Sequence, residues 1–276
     1  MKWQNRSRWV AIPLTVLILL ILLFPFFVML STMLKSGQDV YTSPPFWIPT
    51  HVEWSNFVTV WTSYDLASYF LASLVIAVGA TVLNTLLCVP AAYAVARLNF
   101  VGRKAALFLL LMIEMFSPVI VIISLFKIVT RVGLYDTFLS LIIVDALFTV
   151  AFNTWMMNGY FKTIPKDIEE AAMIDGCTRV QTITRIMLPI AVPGLVTIMI
   201  YAFIFAWNEF LFALSFISSK NLMPLTIGLY NFVGRWTTQW QYLTMAAFLA
   251  ILPVLCLFYV IEKRLVAGLA GGAVKE

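Results

Sequence analysis

The chain has 276 residues, 62% of them apolar and only 11% charged, far below the roughly one-quarter charged share of soluble domains. Three scattered cysteines, Cys88, Cys177 and Cys256, and the lone His51 support neither a disulfide framework nor a metal site. The net charge of +5 sits at the flanks of long apolar runs, which argues against a nucleic-acid partner and for a membrane protein.

In chain order, six segments reach the roughly 20 apolar residues a helix needs to cross the hydrocarbon. They are Val10–Leu34, Ala67–Ala96, Ala105–Thr130, Phe138–Tyr160, Gly194–Ile217 and Tyr242–Ile261. They lack the alternation a membrane strand requires, so the predicted fold class is all-α, with residues 1–276 forming one transmembrane domain. The first segment is too long for the apolar part of a signal peptide and no A-x-A site follows it, so it is expected to be retained. The second is long enough to include an interfacial turn. Pro25, Pro90, Pro118 and Pro253 fall inside spans. A membrane proline kinks its helix and frees a carbonyl, and four of them read either as packing irregularity or as bent helices lining a path.

Lys and Arg divide unevenly between the two sides of these spans. One side holds Lys2, Arg6, Arg8, Arg97, Arg103, Lys104, Lys162, Lys166, Arg179, Arg185, Lys263, Arg264 and Lys275; the other holds Lys35, Lys127, Arg131, Lys220 and Arg235. The positive-inside rule then places both termini and the long polar loop Lys162–Pro193 in the cytoplasm.

That loop reads PKDIEEAAMIDGCTRVQTITRIMLPIAVP from Pro165 to Pro193. Pro165 suits the first turn of a helix, and Asp167, Glu169 and Glu170 complement its dipole. Ala171 and Ala172 are strong helix formers. Gly176 permits a stop or sharp turn, and Thr178 is placed to cap a second helix running to Pro189. The expected form is a helix of about 11 residues, roughly 16 Å long, then a turn and a second helix. A polar knob of that kind, held outside the bilayer, is a docking element.

Glu170-Ala171-Ala172, then Asp175-Gly176, then Ile186-x-Leu188-Pro189, resembles the EAA loop of ATP-binding-cassette importer permeases. Pro90-Ala91-Ala92-Tyr93-Ala94 with Ala96-Arg97, Ala206-Trp207-Asn208-Glu209-Phe210, and the ending Gly268-Leu269-Ala270-Gly271-Gly272-Ala273-Val274-Lys275 extend the likeness along the chain. It is similar to the second, six-span permeases of maltose, multiple-sugar and glycerol-phosphate systems. The resemblance implies a coupling helix whose Glu170 pairs with a basic residue of an ATPase subunit. Ala171 and Ala172 would allow close approach and Gly176 would set the turn, with Asp175, Leu188 and Pro189 as the further ATPase-docking residues of the loop. It also implies the partners: a homologous second permease, a dimer of ABC ATPase subunits, an extracytoplasmic substrate-binding protein, a carbohydrate substrate, and the lipid of a bacterial inner membrane. The sequence has no G-x-x-x-x-G-K-[ST], so no cofactor is expected on this chain, and ATP and Mg belong to the partner ATPase.

Polar groups within the spans are functional suspects because burying them in lipid is costly. Asn84, Glu114, Asp145, Asn153, Asn208 and Glu209 form this set. Each reads either as an interhelical hydrogen bond, worth about 0.6 kcal/mol, or as part of a hydrophilic path for sugar hydroxyls. Trp47, Trp54, Trp61, Trp236 and Trp240 fit an interfacial aromatic belt, and the loops Lys35–Leu66 and Ser218–Gln241 are candidate surfaces for the binding protein. The competing function is an ion-coupled secondary transporter, a class marked by inverted repeats. No repeat is evident, and the docking loop would then have no task. A membrane enzyme lacks any convergent His, Cys or Ser constellation.

Overall fold

In the computed structural model, residues 2–234 and 237–272 are described, so the expectations on Arg235, Trp236 and the end of the tail, Ala273-Val274-Lys275, lie outside them. Side chains are described from Ala11 to Tyr259 apart from that gap. The helices are α1 (Lys2–Met33), α2 (Ser55–Thr62), α3 (Leu66–Arg97), α4 (Arg103–Glu114), α5 (Pro118–Val132) and α6 (Phe138–Thr163). Then come α7 (Lys166–Ile174), α8 (Arg179–Ile190), α9 (Val192–Trp207), α10 (Leu211–Phe216), α11 (Leu225–Tyr230) and α12 (Trp240–Gly272). No strand occurs among the described residues. Four helices are long and apolar enough to cross a membrane, and six spans result if each of two bent pairs counts as one.

The expected spans recur with two changes. The segment predicted at Ala105–Thr130 is two helices, α4 and α5, bent by 97°. Ser117 is extended (φ −64°, ψ 132°) and Pro118 opens α5, because a residue before proline is barred from the helical region while proline suits the first helical turn. The segment predicted at Gly194–Ile217 stops at Trp207, breaks over residues 208–210 and resumes as α10. Before it, α8 meets α9 at 88°. The second span, by contrast, runs unbroken through Pro90 with no interfacial turn.

Contacts divide the chain into two compact units. One comprises Met1–Ala67 and Gly228–Leu252. In it the Asn56 amide donates to the carbonyls of Met33 and Lys35, both at 2.9 Å, closing the carbonyl end of α1. Such carbonyls have no partner within the helix itself. Lys35 is buried and its ammonium donates to Phe46 O at 2.5 Å. Tyr64 packs on Phe232 and Tyr242, and its hydroxyl donates to Gln239 at 2.6 Å. Trp47, Trp54, Trp61 and Trp240 are exposed.

The other unit comprises Ser68–Ile227 and Pro253–Glu276. Its centre is α3, α6 and α9. Helix α6 meets α9 where Gly194 lies against the Tyr160 ring, so closely that a Cβ there would sit 2.4 Å from a ring carbon. Across these three helices runs a buried amide ladder. Asn84 donates to Thr149 Oγ1 at 2.8 Å and to Ala146 O at 3.1 Å. Asn153 donates to Asn84 Oδ1 at 2.7 Å and to Ile198 O at 3.0 Å. Both asparagines are fully buried, so the ladder fixes the register of helices whose apolar surfaces, like lipid, offer no hydrophobic preference.

Candidate functional site

The polar loop folds as a helix–turn–helix. Pro165 precedes α7, and Asp167 and Glu169 lie in its first turn, where carboxylates favour the dipole. The helix ends at Gly176, whose φ of +86° is a left-handed value that glycine adopts without strain. The Asp175, Gly176 and Cys177 amides donate to Ala171, Met173 and Ala172 carbonyls at 2.9, 3.1 and 3.0 Å, satisfying the carbonyl end. Thr178 caps α8 as expected. It does so through a full capping box, with Gln181 N donating to the Thr178 hydroxyl at 3.3 Å and Thr178 N donating to the Gln181 side chain at 2.8 Å. Inside α8, Thr182–Met187 is π-helical, a widened turn frequent at functional positions.

What holds this knob to the body is a cluster that the sequence does not announce. Arg97, the last residue of α3, forms an ion pair with Glu169 at 3.1 Å, both side chains buried. The Arg97 Nη2 also donates to Ile164 O at 2.6 Å, and the Tyr93 hydroxyl donates to Glu169. Beneath it lies an apolar core of Cys88, Tyr93, Met157, Phe161, Met187 and Ile198. Helix α7 is therefore fastened to the end of α3 by an ion pair and to α8 by packing.

Adjacent glutamates thus part ways. Glu169 and Ala172, three apart and on one face, turn inward. Glu170 and Ala171 turn outward, as do Asp175 and Gly176. Of the two alanines, only Ala171 offers a small profile to a partner. Leu188 packs on the core below while Pro189 is exposed. The exposed face also carries Met173, Ile174 and Val180, which the sequence reading did not single out. Ile174 is 85% exposed; a large aliphatic side chain beside the turn of a polar knob was the available signal.

The span residues separate into two groups. Asn84, Asn153 and Asp145 are buried, the two amides within the ladder. Neither Asp145 oxygen has a hydrogen-bond partner. Glu114, Asn208 and Glu209 instead lie at the two helix breaks. Glu114 ends α4 and is exposed, accepting a hydrogen bond from the Tyr201 hydroxyl at 3.3 Å. Asn208 is exposed just after α9, its amide donating to Ile204 O at 2.8 Å. Glu209 caps α10, accepting from Phe212 N at 2.6 Å and Ala213 N at 2.9 Å.

Comparison with known proteins agrees with this architecture. The chain is 37% identical to the inner membrane ABC transporter permease protein YcjP of Escherichia coli, over 94% of this chain and 93% of that one. It is 34% identical to the sulfoquinovosyl glycerol transport system permease protein SmoH of Agrobacterium fabrum, over 92% and 89%. It is 31% identical to the trehalose/maltose transport system permease protein MalG of Thermococcus litoralis, over 100% and 99%. A chain from the crystal structure of a bacterial ABC transporter involved in the import of the acidic polysaccharide alginate superposes with a TM-score of 0.82 at 23% identity, covering 95% of this chain and 98% of that one. At that identity the likeness speaks for the fold. The profile of one family matches residues 88–269, which include the whole helix–turn–helix. The chain belongs to the family of binding-protein-dependent transport system inner membrane components.

Proposed function

We propose that this chain is one permease subunit of an ATP-driven, binding-protein-dependent carbohydrate importer in a bacterial plasma membrane. It would supply half of the translocation path, and a homologous permease the other half. The observation that carries the reading is the helix–turn–helix of α7 and α8. It is anchored rigidly at Glu169, yet turns Glu170, Ala171, Ile174 and Gly176 outward. A knob of this kind, with charged and apolar side chains exposed side by side, suits a cleft in a soluble ATPase subunit. Permease relatives whose names include sulfoquinovosyl glycerol and trehalose/maltose support a carbohydrate solute.

In this mechanism ATP binding closes an ATPase dimer, whose cleft moves α7. The Arg97–Glu169 pair passes that displacement to α3, and the α8–α9 bend passes it to α9. The spans then alternate between inward- and outward-facing states. ATP and Mg stay on the partner subunits. The loop and both termini face the cytoplasm in this reading, which the Lys and Arg distribution supports. The opposite face receives solute from the binding protein.

The test uses the assembled transporter in proteoliposomes with its binding protein screened against carbohydrates. A sugar that the binding protein retains should stimulate ATP hydrolysis and accumulate only with ATP. Uptake driven by an ion gradient without the ATPase would overturn the proposal in favour of a secondary transporter.

A further inference from the structure

The two helix breaks converge on one place. A cavity of about 430 Å³ is lined by Pro118, which opens α5, and by Tyr201, Phe205, Asn208, Glu209 and Phe210 of the α9–α10 break, among others. Its volume falls within the roughly 300–1,000 Å³ of small-molecule sites. Glu114, at the end of α4, lines an adjoining hollow of about 180 Å³ and is joined to the first cavity by its hydrogen bond from Tyr201.

Two physical constraints apply. Non-helical backbone at membrane depth is tolerated only where protein buries it or water reaches it. A side-chain carboxylate exposed at that depth must face water or a partner, because facing lipid costs several kcal/mol. Glu114 and Asn208 are both exposed and flank the breaks. Asn84, Asn153 and Asp145 are all buried inside the unit and present nothing to a solute. The cavity's charge is also one-sided. Among the described residues that line the two hollows, the ionisable carboxyls are Glu114 and Glu209, and there is no Lys or Arg. The Glu209 carboxylate is occupied by the amides of α10, which leaves Glu114 as the carboxylate facing outward. Aromatic walls from Tyr201, Phe205 and Phe210 suit the apolar faces of a sugar ring.

We propose that this cavity is a solute-contacting surface of the path, and that it admits an uncharged or cationic polyhydroxylated solute while disfavouring an anionic one. The solute class rests on the importer reading above; the charge preference rests on the cavity alone.

Thiol chemistry tests it without knowledge of the solute. In a Cys177→Ser, Cys256→Ser background, with buried Cys88 left in place, Asn208→Cys and Leu211→Cys are made separately in the assembled transporter. Each is reacted with a trimethylammonium methanethiosulfonate and with a sulfonate methanethiosulfonate. The thiolate forms a disulfide and expels methanesulfinate in both cases. Rates are normalised to those of a small free thiol. The cationic reagent should be favoured about fivefold or more, and Glu114→Gln or high salt should bring the ratio toward one. A ratio near one at low salt, or preference for the anion, overturns the charge preference. If neither cysteine reacts in a transporter that still holds its ATPase, the cavity is closed to water and the proposal fails. Absence of ATP-driven uptake by the wild-type transporter would sink the importer reading and leave these ratios intact.

Discussion

Replacing Glu169 with alanine removes the carboxylate that Arg97 and Tyr93 share. Arg97 would keep its hydrogen bond to Ile164 O at 2.6 Å but lose its counter-ion in a site where its side chain is 5% exposed. Breaking a buried pair from one side costs about 3–5 kcal/mol, because the surviving charge stays desolvated. The remaining carbonyl contact puts the expected cost at the low end, about 3 kcal/mol. That cost falls on the docking of α7, so it reads out as local opening rather than global unfolding. Three kcal/mol raises the open population by roughly a hundredfold. Hydrogen exchange at the Asp175, Gly176 and Cys177 amides, which close the end of α7, should accelerate by about that factor. Exchange in the α6–α9 core should stay unchanged. Glu170→Ala is the matched control: the side chain is exposed, and exchange should remain at the wild-type rate. Arg97→Met with Glu169→Leu and Tyr93→Phe should recover part of the protection, since no buried charge is then left unpaired and only the Ile164 carbonyl loses its partner. If Glu169→Ala accelerates exchange by no more than Glu170→Ala does, the ion pair is not what fastens the knob.

Two further outcomes follow from the loops. Gly176 has open space where a Cβ would go, so substitution there costs only left-handed backbone strain, about 1–2 kcal/mol. Gly176→Ala and Gly176→Arg should destabilise α7 equally, but only the arginine should abolish co-purification of the ATPase; retention at normal yield with normal uptake would refute the docking assignment. Asp136 accepts hydrogen bonds from Ser218 N and Ser219 N, both at 2.9 Å, and from the Ser219 hydroxyl at 2.5 Å, which hold its carboxyl below the usual carboxylate range. A depressed folded pKa means this contribution is complete above the ordinary carboxylate value of about 3.9. It is lost as pH falls through the lower folded value. Protection of the Ser218 and Ser219 amides should be flat from neutral pH down to that range and then fall. Asp136→Asn, which tolerates the φ of 59°, should remove the pH step; a step that survives would assign it to another group.

Local rules acting on neighbouring residues settled a large part of this protein in advance. Apolar run length set the spans, and the Lys and Arg asymmetry set an expected orientation. Pro165, Gly176 and Thr178 bounded α7 and α8, because capping and positive φ depend on one or two residues. The break at Pro118 was visible as a proline, but its size was not; a 97° bend depends on what packs on either side. Glu169 and Glu170 are indistinguishable as letters. Which one is buried depends on Arg97, 72 positions away in sequence, and on the direction in which α7 leaves α6. Likewise the six polar span residues look equivalent in one dimension. Only the packing of α3, α6 and α9 turns Asn84 and Asn153 toward each other, and only the meeting of two helix breaks leaves Glu114 and Asn208 exposed at two hollows linked through Tyr201. Helix caps and apolar run lengths are local properties that a sequence carries outright. The face a side chain presents is a property of its neighbours in space, and the tertiary structure alone decides it.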